Sequence, residues 1–101
     1  MSDSWSKKLG LIIKEYREAN SLPLRKVAAD LDIDQSTLSK IEKGDRKGDI
    51  EMIPIVANLF NLDYHGLLID ILSDKIIEEN NKYPLLADSL QEALKKLKSR
   101  N

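Results

Sequence analysis

The segment "PLRKVAADLDIDQSTLSKIEKG", residues 23–44, decides the fold, because it holds two short helical patterns joined by a very short turn. Apolar residues recur at helical spacing on both sides of the turn "DID". Asp34 stands where it can cap the second helix, and Gly44 stands where a left-handed residue can end it. The sequence therefore predicts helices over about 24–31 and 35–43.

The rest of the chain also shows helical spacing and no convincing strand alternation. Proline and helix-capping residues divide this sequence into separate helices. After the loop "GDRKGD", Pro54 predicts that regular helical hydrogen bonding begins near Met52. The predicted fold class is all-α, a helical bundle with short connections. The four further helices are predicted over about 4–19, 50–60, 63–80 and 85–99.

Composition excludes several kinds of site. The 101 residues fit one domain, and the absence of cysteine excludes disulfides and thiolate chemistry. One histidine, His65, leaves little scope for a zinc site, so no metal and no cofactor are expected. No apolar run is long enough for a membrane span, and the start lacks the pattern of a secretory signal. A cytoplasmic location is the resulting expectation.

The net charge of −1 hides an uneven distribution. Residues 1–48 carry 10 Lys and Arg against 8 Asp and Glu, and residues 49–92 carry 2 against 9. Residues 93–101 carry 4 against 0. Local arrangement, rather than net charge, therefore has to decide whether the chain binds an anionic partner.

Two short helices separated by about three residues are typical of a helix-turn-helix, whose second helix protrudes for the major groove of DNA. At 100° per residue, Leu38 and Ile41 point into the core. The opposite face carries hydrogen-bonding groups and cations but no carboxylate, which suits base edges and phosphates. The alternative is an ordinary solvated helix face. The outward residues are Gln35, Ser36, Ser39, Lys40 and Lys43.

The run from residue 22 to 67 resembles the Cro/lambda-repressor, or xenobiotic-response-element, helix-turn-helix family. The resemblance rests on Val27-Ala28 before the turn, "SKIEKG" at 39–44 and "VANLFNL" at 56–62. It implies a five-helix DNA-binding domain, here over residues 4–68, followed by an added C-terminal helix.

The family pattern implies roles for individual side chains. Gln35, Ser36 and Lys40 match positions that contact base edges, and the outward Ser39 is a fourth candidate. Arg17 and Glu42 match a largely buried ion pair, which gives them a structural role. Positions that match or adjoin phosphate contacts are Thr37, Lys43, Arg46 and Lys47. Ordinary loop charge is the alternative for the last three.

Two residues depart from the family pattern. Leu24 stands where the family often has a glutamine that touches a phosphate, and Arg25 and Lys26 are the candidates to replace that contact. Pro23 stands where serine or threonine commonly caps the helix.

The strongly apolar sequence continues after residue 68, and this predicts a helical extension over 69–101 that forms a homodimer. The alternative is that the last helix folds back and that the helix before it is central to the monomer. The predicted interface residues are Leu68, Leu72, Ile76, Leu86, Leu90, Leu94 and Leu97.

The resemblance implies a regulator that binds a palindromic operator on double-stranded DNA as a homodimer, with steric repression as its simplest mechanism. Restriction-modification controllers, phage-type repressors and antitoxins share this resemblance, and the sequence does not choose among them. A rival reading is a protein-interaction module that binds a protein partner through its last two helices. A small hydrolase is a weaker rival, since no nucleophile-base or paired-carboxylate motif appears.

Overall fold

The computed structural model describes residues 4–100, which form six helices and no strand. The predicted all-α fold is therefore confirmed. The helices are α1 (Ser4–Ala19), α2 (Leu24–Asp30), α3 (Gln35–Lys43), α4 (Met52–Phe60), α5 (Tyr64–Asn80) and α6 (Leu86–Ser99). None of these six helices is both long and apolar enough to cross a lipid bilayer.

Local chemistry explains where the helices begin and end. Helix α4 starts at Met52, as Pro54 predicted, because a proline in the first turn needs no amide donor. Asp63 caps α5 by accepting a hydrogen bond from the Gly66 N–H at 3.3 Å. Helix α6 starts one residue later than predicted, since Leu85 takes a left-handed conformation with φ of 60°.

The core lies between α1 and the other helices of the first 80 residues. Helix α1 packs mainly against α3 and α5, while α2 packs on α3 and α4 on α5. Burial of each large apolar side chain contributes about 1.5–3 kcal/mol. The buried cluster consists of Trp5, Leu9, Ile13, Val27, Ala28, Leu31, Leu38, Ile53, Val56 and Ile71.

Helices α1 and α3 approach each other very closely at Gly10. A Cβ atom added at Gly10 would overlap the carbonyl oxygen of Ile41 and lie 3.0 Å from its carbonyl carbon. Only a glycine lets α1 lie directly on the backbone of α3 at this crossing. This contact fixes the position of α3 relative to the core.

The last two helices differ in how they relate to this core. Helix α5 crosses the predicted domain boundary at residues 68 and 69 without a break, and Ile71 beyond it is fully buried. Helix α6 buries none of its residues and takes part in none of the main helix contacts. The boundary stays a prediction, although the core extends past it, and residue 101 of the predicted extension lies outside the described residues.

Candidate nucleic-acid interface

Helix α3 has well-defined ends, as the sequence predicted. The Asp34 carboxylate accepts a hydrogen bond from the Thr37 backbone N–H at 2.6 Å. Gly44 takes φ of 80° and donates to the Ile41 carbonyl, and Asp45 N–H donates to the Lys40 carbonyl at 2.8 Å. These bonds satisfy backbone groups at both termini and hold the helix in one position.

The outer face of α3 is largely available to a partner. Gln35, Ser36, Lys40 and Lys43 are exposed, and Ser39 is half-buried beside them. Thr37, the predicted phosphate contact in the first turn, is also half-buried, and its backbone N–H is used by the cap. The face therefore presents amide, hydroxyl and ammonium groups together.

We expect the Asp34 cap to make stability depend on pH in acid. Hydrogen bonds from the Thr37 backbone N–H, and then from its side chain, lower the pKa of Asp34. A carboxyl whose pKa is lower in the folded state stabilises the fold above its unfolded pKa, and this contribution is lost as the pH falls through the folded pKa.

Asp34→Asn keeps a hydrogen-bond acceptor at the cap but cannot titrate there. In urea unfolding from pH 7 to pH 2.5, the stability difference between the wild type and Asp34→Asn should shrink below a pH of about 4. A difference that does not change with pH would contradict the role of the charged cap.

An ion pair joins α1 to the end of α3. The Arg17 Nε and Nη2 atoms donate to the two Glu42 carboxylate oxygens at 2.8 and 2.9 Å, and Nη1 donates to the Leu22 carbonyl. The side chains are only 14% and 5% exposed, respectively. The hydrogen bonds to Glu42 raise the pKa of Arg17 further above its ordinary value. The negative charge of Glu42 is thus compensated by Arg17, and its side chain is turned away from the face that would meet DNA.

The loop that follows α3 is fastened to α1. The buried Ser6 hydroxyl accepts a hydrogen bond from the Gly48 N–H at 2.7 Å, and Gly48 is itself buried. Arg46 is exposed in this loop, near the C-terminal end of α3. Sequence reasoning missed Ser6, because a serine among helical apolar residues gives no sign of a partner 42 residues away.

Lys47, the other predicted phosphate contact of the loop, is exposed, but its side chain extends along the protein surface. Its ammonium group is 5.4 Å from the centre of the Trp5 ring and 3.7 Å from a Glu79 carboxylate oxygen. Lys75 lies over the same ring at 5.6 Å. This placement ties the loop to the C-terminal part of α5, so a phosphate contact by Lys47 would require the side chain to reorient.

The two cations of α2 are exposed, so they could replace the phosphate contact that a glutamine at position 24 would make. Arg25 is exposed, while Lys26 is exposed and lies 3.5 Å from the Asp30 carboxylate one turn further along α2. An exposed pair at i and i+4 is weak, so this contact does not prevent Lys26 from meeting a phosphate.

The predicted dimer residues fall into two groups. Leu68 packs against the core cluster and is half-buried, and Leu72 and Leu86 are also half-buried. The others are exposed large apolar side chains, namely Ile76, Leu90, Leu94 and Leu97.

The carboxylates of α5 give no support to a hydrolase. The Lys8 ammonium forms ion pairs with the carboxylates of Asp70 at 2.8 Å and of Asp74 at 3.2 Å. Hydrogen bonds to Asp70 and then to Asp74 raise the pKa of Lys8. These side chains lie on the surface and join α1 to α5. Within residues 4–100, no group of three or more His, Cys, Asp and Glu side chains could hold a metal ion.

Comparison with known proteins identifies the fold family. A family model described as helix-turn-helix matches residues 13–67, which is more than half of the chain and includes α2, the turn, α3 and α4. Comparisons with curated proteins and with solved structures give no match. The capped α3 with its exposed outer face and the largely buried Arg17–Glu42 pair lie inside the matched region. The chain belongs to the lambda-repressor-like (Cro/C1-type) helix-turn-helix family, a family of DNA-binding transcription regulators.

Proposed function

We propose that the protein is a homodimeric regulator that binds a palindromic DNA operator with α3 in the major groove. The observation that carries this proposal is the outer face of α3, which is largely exposed and bears cations and hydrogen-bonding groups, while Glu42, the one carboxylate of the helix, is held away from it in an ion pair. A face of this kind satisfies the donors and acceptors of base edges without repelling phosphates.

The position of each side chain along α3 indicates which residues would contact base edges. Gln35 and Ser36 lie in the first turn, and the N-terminal residues of a recognition helix are those that reach base edges. Lys40 follows one turn later on the same exposed side, and Ser39 lies beside it. We assign these four side chains to base contacts.

Cations around this face would contact the DNA backbone. Lys43 at the end of α3 and Arg46 in the following loop are exposed, as are Arg25 and Lys26 on α2. Each neutralised phosphate releases counterions, so binding should weaken steeply as salt increases. Thr37, in the first turn of α3, is a further proposed phosphate contact. Lys47 is the last one, and its side chain would have to reorient to reach the DNA backbone.

Dimerisation through α5 and α6 supports the palindromic operator. One recognition helix reads only a few base pairs, whereas a two-fold dimer reads two half-sites about one helical turn apart. Occupying such a site within a promoter, in the cytoplasm and without a cofactor, would repress transcription by steric exclusion. The proposal includes no enzymatic activity.

The test of this function separates base readout from backbone attraction. Lys40→Ala or Gln35→Ala should cost about 1–3 kcal/mol on the selected operator and relax base preference at one position. Arg46→Ala should weaken binding to operator and random DNA alike and reduce the salt dependence. Fluorescence anisotropy titrations on both DNAs measure these effects, after sites have been selected from a random pool.

Lys95→Ala is the matched control, because it removes the same charge from the exposed surface of α6. It should leave operator binding unchanged. If Lys40→Ala loses equal affinity for operator and random DNA, Lys40 contacts a phosphate rather than a base. If selection enriches no sequence and low salt gives no binding, the DNA-binding proposal fails.

The apolar side chains exposed on α5 and α6 also favour a second candidate, a module that binds a protein partner through these helices. An asymmetric partner would leave the isolated chain monomeric. A monomer without DNA affinity at low salt would support this candidate, whereas a dimer that binds a palindrome would exclude it as the main function.

A further inference from the structure

Helix α6 exposes an apolar face that takes part in none of the main helix contacts within residues 4–100, and only Leu86 at its start is half-buried. Leu90, Leu94 and Leu97 are 37%, 52% and 57% exposed, respectively. The spacing of Leu86, Leu90, Ala93 and Leu97 alternates four and three residues, which gives one continuous stripe. A helix of 14 residues without buried residues is only marginally stable in water by itself, and an exposed apolar stripe of this length marks a surface for interaction.

The same stripe is complementary to itself when two copies run in opposite directions. Leu86 of one copy then lies opposite Leu97 of the other, and Leu90 lies opposite Ala93. The two outer layers of the seam thus pair leucine with leucine, and the two central layers pair a large side chain with a small one. This arrangement has the two-fold symmetry of an isologous dimer.

Charge distinguishes this orientation from the parallel one. Lys96, Lys98 and Arg100 flank the stripe at the C-terminal end of α6, whereas the N-terminal half carries Asp88 and Glu92 and no cation. A parallel pair would bring all these cations, from both copies, to one end of the seam. An antiparallel pair places the two groups of cations at opposite ends of the seam, which lowers their mutual repulsion.

The area of the interface is consistent with a shared role for α5. A helix of 14 residues is about 21 Å long, and two such helices alone bury less than the ~800 Å² per partner of a standard interface. Exposed apolar residues of α5, such as Ile69 and Ile76, supply the additional surface.

We propose that α6 forms an antiparallel seam with α6 of a second copy, centred between Leu90 and Ala93. The inference rests on the homodimer of the proposed function and adds its geometry. The two-fold axis passes between the two copies of α6, level with their midpoints, so the two C-terminal ends point away from each other.

The absence of cysteine in the chain permits a direct test. Leu86→Cys and Leu97→Cys are prepared separately, one of them with a size tag, and are oxidised alone and as a mixture. An antiparallel seam brings position 86 of one copy to position 97 of the other, so the mixture should give a disulfide-linked heterodimer. Each variant alone should give little product, since like positions lie about 16 Å apart along the seam.

Lys95→Cys, on the side of α6 away from the stripe, is the matched control and should cross-link with neither variant. Disulfide-linked homodimers of Leu86→Cys and of Leu97→Cys, without the heterodimer, would show a parallel seam and overturn the proposal. Leu90→Asp places a charge in the seam without touching the core, so it should convert the dimer into a folded monomer.

Sedimentation of the wild-type protein separates failure of the seam from failure of the dimer. A wild-type dimer that gives no cross-linked heterodimer would overturn the α6 seam and leave the homodimer of the proposed function intact. A protein that is monomeric both free and on its operator would overturn both proposals.

Discussion

Replacing Glu42 by alanine should lower the free energy of unfolding by about 3–5 kcal/mol, because it leaves the Arg17 guanidinium largely buried without its partner. The two side chains are only 14% and 5% exposed and share two hydrogen bonds. The loss should appear in urea unfolding followed by circular dichroism at neutral pH. Since α3 is held partly by this pair, operator binding should fall together with stability.

A double substitution shows whether the loss comes from an unpaired charge. Arg17→Met combined with Glu42→Leu removes both charges while keeping apolar volume, and it should recover most of the stability lost by Glu42→Ala alone. Additive losses in the double variant would mean that the two side chains act independently. A loss below about 1 kcal/mol for Glu42→Ala would place the pair among weak surface contacts.

Replacing Gly10 by alanine should also destabilise the fold, by about 1–3 kcal/mol or more. The added methyl group would overlap the Ile41 carbonyl oxygen, which is a backbone atom and cannot move without displacing α3. Helix propensity favours alanine by up to about 1 kcal/mol, so a net loss would show that the steric term is larger. Thermal and urea unfolding measure this change.

Gly66→Ala is the matched control, because Gly66 also lies within a helix. The nearest atom to its added Cβ is an Asp63 carboxylate oxygen at 2.6 Å, so the side chain that caps α5 would have to shift, whereas no backbone atom would have to move. Weakening the cap costs about 0.5–2 kcal/mol, so the effect at this position should be smaller than at Gly10. Equal effects at both positions would contradict the importance of the α1–α3 crossing.

Local sequence patterns were sufficient to predict most of the fold. Apolar spacing and the cap residues Asp34, Gly44 and Asp63 predicted the helices to within one or two residues, because these signals act over a single turn. The exposed face of α3 followed from the same periodicity. The late start of α6 was missed, since nothing in the sequence marks the left-handed conformation of Leu85.

Contacts between distant parts of the chain were harder to predict. Gly10 looked like an ordinary helical residue, and only packing shows that it faces the backbone of α3. Lys47 was predicted to contact phosphate from its position in the sequence, whereas in the structure its ammonium group lies beside Trp5 of α1 and Glu79 of α5. Helical periodicity showed that α6 has an apolar face, but it cannot indicate which surface covers that face.

The position of α1 between α3 and α5 has a consequence for the spacing of the operator. Helix α1 meets α3 backbone to backbone at Gly10, and it is joined to α5 by the contacts of Ser4 with Glu78 and of Lys8 with Asp70. In the proposed dimer, α1 therefore acts as a rigid spacer that sets the distance between the two recognition helices. Such a protein would tolerate changes in individual bases of its operator better than the insertion of one base pair between the half-sites.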